Sequence, residues 1–117
     1  MAQIRDIERI REMLLELKMG DNDNDMTPRN SHDEYQYYLM EDSGILEFNL
    51  RQTKEASFYS EIKITSFGQD FIDAFESEDN FEGTKKFAKD KGQELLKMPF
   101  DIMVDLGKQY IKQQLGL

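Results

Sequence analysis

The stretch SHDEYQYYLMEDSGILEFNLRQTKEASFYSEIKITSFGQDFIDAF, residues 31–75, says more about the fold than any other part of the chain. Ser31 and Glu34 form a capping-box pattern, which predicts that a helix begins there. An apolar stripe at helical spacing then fades at Ser43, and Gly44 is suited to end the helix. The stripe, which is predicted to face inward, consists of Tyr35, Tyr38, Leu39 and Asp42. The first third of the stretch therefore predicts one amphipathic helix.

Two segments with period-two alternation of apolar and polar residues follow this helix. They occupy residues 46–50 and 58–64, and this period is typical of β-strands. The polar residues 51–57 between them have the length of a flexible hairpin loop, so we expect an antiparallel ribbon. Thr65 or Ser66 is expected to cap a second helix that closes over the ribbon.

The order helix, strand, loop, strand and helix is the outline of a winged helix, in which the first of these helices would enter a DNA groove. We therefore predict an α+β fold. A winged-helix-like unit would occupy residues 1–77, and a C-terminal helical extension would occupy residues 78–117 and pack on it within a single domain. An amphipathic helix is predicted over residues 4–19, and residues 79–91 and 99–117 are predicted to supply the helices of the extension. Asp79 or Asn80 is expected to cap the first of these two helices, and Gly92 is expected to end it.

The composition limits the class of protein further. A chain of 117 residues is long enough for one hydrophobic core. It has no leader pattern and no apolar run of the roughly 20 residues that a membrane span needs, so we expect a cytoplasmic protein that does not interact with membranes. The absence of cysteine excludes disulfides, thiolate zinc ligands and cysteine nucleophiles.

The formal net charge of −9 is unevenly distributed. Residues 20–43 contain seven acids and one arginine, and residues 66–83 contain six acids and no base. Residues 84–117 carry seven lysines against four acids. DNA-binding proteins draw most of their affinity from Lys and Arg at phosphates, so an acidic helix in the groove-facing position argues against DNA binding through that helix.

Several short motifs, in this order, resemble a family of small bacterial and prophage proteins catalogued as domain of unknown function 2513. The motifs include Arg5-Asp6, Ile10-Arg11, Leu14-Leu15, Tyr38-Leu39, Ser43-Gly44-Ile45-Leu46, Ile64-Thr65, Gly68, Phe71-Ile72-Asp73 and Gln114-Leu115-Gly116-Leu117. Family members often have His after the glycine that matches Gly68 and Trp near Phe81, where this chain has Gln69 and Phe81. The resemblance implies a winged-helix-like fold and supplies no activity or catalytic residues.

Two features could be interpreted as sites of metal binding or catalysis. Asp21, Asp23 and Asp25 occupy the first three ligand positions of an EF-hand loop, but Met26 replaces its turn glycine and His32 replaces its closing glutamate. An acidic linker is the simpler interpretation. The single histidine lies at a helix start beside two acids, and the sequence shows neither a nucleophile set with catalytic spacing nor a phosphate-binding loop. We therefore expect no enzyme, no metal and no cofactor.

Two further clusters suggest binding surfaces. In the tyrosine cluster, helical geometry predicts that Tyr35 and Tyr38 are core residues and that Tyr37 is exposed with Met40 or Glu41. The basic cluster consists of Lys85, Lys86, Lys89, Lys91 and Lys97. It could contact phosphate or an anionic membrane, or it could balance the acidic segment of the same molecule, which is the interpretation that we favour.

Two functional hypotheses follow. The first is a noncatalytic protein-interaction or regulatory module whose candidate contact residues for a protein partner are Asp33, Glu34, Tyr37, Glu41 and Asp42. The alternative is a winged-helix DNA-binding transcriptional regulator whose candidate contact residues are Arg51, Lys54, Lys85, Lys86 and Lys89. A third interpretation takes the acidic surface as a mimic of DNA. The sequence does not specify the oligomeric state.

We predict that Asp21, Asp23 and Asp25 do not form a specific calcium site, because the turn glycine and the closing bidentate carboxylate are missing. Calorimetric titration with Ca²⁺ should give only weak heats that vanish in moderate salt. Saturable binding at about 10⁻⁵ M or tighter, the range of sensor sites, that is abolished by Asp23→Asn would contradict this prediction.

Overall fold

The computed structural model describes residues 4–20 and 30–116. Within them lie five α-helices, two β-strands and one short 3₁₀-helix, so the predicted α+β class is confirmed. The chain divides into two compact units, Met1–Gln69 and Asp70–Leu117. The winged-helix interpretation and the predicted packing of residues 78–117 on residues 1–77 stay predictions.

Two helices open the first unit. Helix α1 covers Ile7–Met19, and Asp6 caps it by accepting a hydrogen bond from the Arg9 backbone N–H at 3.0 Å. Helix α2 covers Ser31–Asp42. The predicted capping box is wrong, because the cap is Asn30, whose side chain accepts from the Asp33 N–H at 2.9 Å. Both helices therefore begin with a short polar side chain that satisfies a free amide of the first turn.

The ribbon consists of strands β1, Leu46–Gln52, and β2, Ser57–Ile64, which pair antiparallel. The ladder extends to the pair Gln52 and Ser57, so the connection is shorter than the predicted loop of residues 51–57. It is a tight turn in which the Thr53 N–H donates to the Ala56 carbonyl at 2.9 Å and the Thr53 hydroxyl accepts from the Ala56 N–H at 3.1 Å. Hydrogen bonds of this kind replace the flexible loop with a closed turn.

A β-bulge interrupts the ladder and changes which residues of β2 face inward. Glu61 and Ile62 together stand opposite Phe48, and Glu61 has a φ of 53°, in the left-handed region. The extra residue turns Tyr59 onto the same face as Ile62, and both side chains are buried. Unbroken alternation over residues 58–64 would instead place Phe58 on the face of Ile62 and Ile64, but Phe58 is exposed.

The end of β2 is tied to the turn that follows α2. The Thr65 hydroxyl donates to the carbonyls of Gly44 and Ile45, and it accepts from the Gly68 N–H at 3.0 Å, so Thr65 caps the next helix as predicted. Gly68 allows this close approach, because a Cβ there would overlap the Ile45 carbonyl oxygen and lie 2.9 Å from Ile64 Cγ2. Only glycine fits between these groups.

Three α-helices and the 3₁₀-helix make up the rest of the chain. Their bounds are Ser66–Phe75 for α3, which begins in the first unit, Glu78–Asp90 for α4, Leu95–Lys97 for the 3₁₀-helix and Phe100–Gln114 for α5. Ser77 caps α4, instead of the predicted Asp79 or Asn80. Four phenylalanine rings pack edge to face in the second unit, with centroids 5.0–6.0 Å apart, and they are Phe71, Phe75, Phe81 and Phe100.

In the parts of the chain that the structure describes, no helix has both the length and the apolar composition that crossing a bilayer requires.

We predict that Glu61→Gly will be close to neutral for stability and that Glu61→Val will lower the free energy of unfolding by about 1–3 kcal/mol, because a β-branched residue fits the left-handed region poorly. Lys63, on the regular part of the same strand, is the matched control. There the order should reverse, since valine is favoured over glycine in a strand by up to about 1 kcal/mol. Urea denaturation of the four variants tests this, and the same order at both positions would rule out the bulge.

Candidate functional site

The buried stripe of α2 determines which of its side chains are available to a partner. The sequence predicted an inward face of Tyr35, Tyr38, Leu39 and Asp42, and this prediction is wrong. The buried residues are instead Asp33, Gln36, Tyr37 and Met40, which also have helical spacing. Half of this stripe is polar, so an apolar pattern could not reveal it.

The buried carboxylate of Asp33 is held by Arg9 of α1. Arg9 Nε lies 2.9 Å from Asp33 Oδ1 and Nη2 lies 3.1 Å from Oδ2, which is a bidentate pair. The two side chains are 19% and 6% exposed. Hydrogen bonding to Asp33 raises the pKa of Arg9 above its ordinary value, although partial burial opposes this shift. The guanidinium is thus charged at any pH the protein experiences, and it keeps Asp33 turned inward.

Gln36 provides a second link between the two helices. Its Oε1 accepts from the Asp6 N–H at 2.8 Å, while Nε2 donates to the Ile4 carbonyl at 2.9 Å and to the His32 carbonyl at 3.2 Å. Among the described residues, no buried side-chain nitrogen or oxygen lacks a hydrogen-bond partner. The polar groups of Asp33 and Gln36 therefore have their hydrogen-bonding capacity used within the fold, which indicates a structural role.

His32 contacts the residue that caps α1. Its Nε2 lies 2.9 Å from Asp6 Oδ2, and both side chains are more than a third exposed. The other carboxylate oxygen of Asp6 accepts the Arg9 N–H. The single histidine is thus placed to connect the starts of α1 and α2.

Tyr37 is a core residue and is not exposed, contrary to the prediction. Its ring stacks on Tyr59 at 4.6 Å between centroids, and Phe48 packs edge-on against both rings. Burial raises the pKa of Tyr37, with nearby Asp33 adding to the shift. Burial also raises the pKa of Tyr59, and the carboxylates of Glu34 and Glu41 add to it. Two of the five predicted partner-binding residues, Asp33 and Tyr37, are therefore buried.

The remaining three predicted residues lie on the outward side of α2 together with two tyrosines. We call this the acidic face, and its residues are Glu34, Tyr35, Tyr38, Glu41 and Asp42. Tyr38 is 56% exposed, and its ring stacks on Tyr35 at 5.9 Å. Glu41 and Asp42 are exposed and Glu34 is partly so, and α2 contains no lysine or arginine. The ribbon face that carries Tyr59 also bears Leu50, which is 47% exposed.

The five predicted nucleic-acid contacts are divided between the two units, and those of the second unit do not share one surface. In the first unit, Arg51 and Lys54 are exposed at the ribbon tip. In the second unit, Lys85 pairs with Glu82 at 3.1 Å and lies over the Phe81 ring. The lysines of α4 lie on two different flanks of the helix. Lys89 lines one groove with Lys85, and Lys86 lines a different groove with Lys91.

In the described ranges, no group of three or more His, Asp or Glu side chains is placed to hold a metal ion. Asp21, Asp23 and Asp25 lie outside the described residues. The calcium prediction made from the sequence therefore stays a prediction.

Comparison with protein families matches residues 4–94 to a family described as hypothetical proteins, DUF2513. The match covers most of the chain, and the protein belongs to this family. Searches of curated proteins and of solved structures found no match. The family name identifies no activity, so any functional conclusion has to come from the site itself.

We predict that Arg9→Met will lower the free energy of unfolding by about 3–5 kcal/mol, because it leaves the buried Asp33 carboxylate without the guanidinium that holds it. Glu12→Gln is the matched control, since Glu12 is an exposed partner of the same arginine, and removing its charge should change stability by at most about 1 kcal/mol. Urea denaturation measures both.

The double variant Arg9→Met with Asp33→Asn should be more stable than the sum of the two single effects implies, by about 1–3 kcal/mol. Additive effects, or a loss below about 1 kcal/mol for Arg9→Met alone, would show that the pair does not hold α2 in place.

Proposed function

We propose that this protein is a noncatalytic interaction module and that the acidic face of α2 binds a basic surface on a protein partner. The observation that carries the proposal is the placement of charge and aromatic area on one helix. Glu41 and Asp42 are exposed, Glu34 is partly exposed, and Tyr38 lies among them. Tyrosine is enriched in the centre of protein interfaces, and carboxylates around it favour a cationic partner.

The buried ion pair supports the proposal because it presents the acidic face in one orientation. With Arg9 holding Asp33 and Gln36 bonded to the chain before α1, α2 has little freedom to rotate. A face that is ordered before binding loses less conformational entropy when it docks. The Tyr35 and Tyr38 rings stack on each other, so these two side chains are also ordered before a partner binds.

The same charges argue against insertion of α2 into a DNA groove. Glu34, Glu41 and Asp42 would approach phosphates, and α2 has no basic residue to offset them. Among the described residues, the one ion pair between an acid of α2 and an arginine is that of Asp33 with Arg9, which lies on another helix.

A DNA-binding regulator is the second candidate, and the ribbon tip is the observation that favours it. Arg51 and Lys54 are exposed there, and neither has an ion-pair partner among the described residues. Two cations are a small number for a duplex-binding surface, since each phosphate contact contributes separately to affinity.

We predict that the triple variant Glu34→Gln, Glu41→Gln and Asp42→Asn will lose a protein partner that the wild-type chain retains in affinity capture from its host. The physical reason is the loss of the charges that complement the partner. The matched control removes three exposed acids elsewhere, through Glu47→Gln, Asp101→Asn and Asp105→Asn, and it should retain the partner. Quantitative mass spectrometry of the retained proteins measures the difference.

Fluorescence anisotropy on labelled duplex DNA at low salt separates the two candidates. The proposal expects no binding. Duplex binding that is lost on Arg51→Ala or Lys54→Ala, or equal partner retention by the α2 variant and its control, would reject the interaction module.

A further inference from the structure

The second unit contains an open groove between α4 and α5, whose lining differs chemically from the acidic face. Its volume is about 480 Å³, within the range of small-molecule sites. Its lining is Gly83, Lys86, Phe87, Asp90, Lys91, Tyr110 and Gln113. All of these residues lie on α4, at its C-terminal end or on α5.

An aromatic wall forms one part of the groove. Phe87 and Tyr110 have ring centroids 6.0 Å apart with an angle of 51° between the rings, and both side chains are partly exposed. Gly83 makes this arrangement possible, because a Cβ there would overlap the Tyr110 hydroxyl. The wall therefore offers ring faces on which a flat, apolar group could pack.

Two ammonium groups lie at the same groove. Lys91 Nζ is 4.8 Å from the centroid of the Phe87 ring, and Lys86 is exposed on the same lining. Neither lysine has an ion-pair partner among the described residues. Asp90 is the single acid of the lining, so the groove has a local positive surplus in a protein whose net charge is −9.

The lining also carries hydrogen-bonding groups that could distinguish one ligand from another. Tyr110 has a hydroxyl, Gln113 has an amide, and Asp90 has a carboxylate that accepts only. Hydrogen-bond donors and acceptors beside an aromatic wall suit a ligand with a flat polar ring. Two ammonium groups suit a phosphate on the same ligand.

The neighbouring groove on the other flank of α4 lacks this combination. It has a volume of about 400 Å³ and is lined by Lys85, Lys89, Gln93, Glu94, Leu95 and Leu96, with no aromatic ring. Lys85 is paired with Glu82, and Glu94 is paired with Lys97. Its lysines therefore serve as controls for those of the first groove.

We infer that the groove between α4 and α5 binds a nucleoside monophosphate, with the phosphate at Lys86 and Lys91 and the base against Phe87 and Tyr110. A bare phosphate would leave the aromatic wall empty, and a neutral nucleoside would leave both ammonium groups without an anion, so neither of them uses the whole lining.

The test is a titration of the full chain with adenosine 5′-monophosphate, adenosine and inorganic phosphate, followed by backbone amide NMR. The monophosphate should shift amide signals around residues 83–91 and 110–113, and it should bind at least about tenfold more tightly than adenosine or inorganic phosphate. Equal binding of inorganic phosphate would reduce the groove to a nonspecific lysine surface and would overturn the inference.

Variants locate the site. Lys86→Gln and Lys91→Gln should each weaken binding about tenfold or more, while Lys89→Gln, which removes the same charge on the other flank of α4, should leave it unchanged within about twofold. The substituted positions are exposed, and circular dichroism checks that the fold is retained.

Two further outcomes would overturn the inference. One is equal weakening by all three lysine variants, which indicates long-range charge rather than a site. The other is binding of a single-stranded oligonucleotide through Lys86 and Lys91 with no binding of the monophosphate, which would assign the groove to a nucleic acid strand.

Discussion

The bidentate pair between Arg9 and Asp33 is the interaction on which the orientation of α2, and with it the acidic face, depends. A carboxylate with 6% side-chain exposure is unfavourable in a protein interior unless a cation and hydrogen bonds compensate it, and Arg9 supplies both. The pair defines the rotation of α2 about its axis. That rotation places Tyr37 in the core and leaves Tyr38 exposed. A rotation of α2 by one residue, about 100°, would exchange these two side chains.

This dependence explains why the sequence predicted the elements better than their faces. The α+β class, the helix after Thr65 and the end of α4 near Gly92 were all predictable, because caps, glycines and periodicity are local signals. The inward face of α2 was not predictable from apolar residues, since Asp33 and Gln36 belong to it. Their partners, Arg9 and the chain around Ile4 and Asp6, lie more than twenty residues away in sequence. The spacing of Asp33, Gln36, Tyr37 and Met40 was visible, but a polar stripe of this kind is normally interpreted as a solvated face.

The two surfaces proposed as binding sites have opposite charge and different chemistry. The acidic face lies on one helix and suits a macromolecular partner. The groove between α4 and α5 is concave, and it combines two ammonium groups with two aromatic rings. The basic cluster recognised in the sequence is thus not a single feature, because α4 distributes its lysines over two flanks. Helical geometry separates Lys86 from Lys85 and Lys89, although all three are close in sequence.

The bulge at Glu61 has a consequence for how this chain should be compared with its relatives. Residues before and after it on β2 follow opposite rules for which face of the ribbon they occupy, so Tyr59 and Ile62 are equivalent although they differ by an odd number of positions. An alignment that treats β2 as a regular strand will match inward residues of one protein with outward residues of another on one side of the bulge. A single-residue gap at Glu61 would then mark a difference in backbone geometry and not a loss of function.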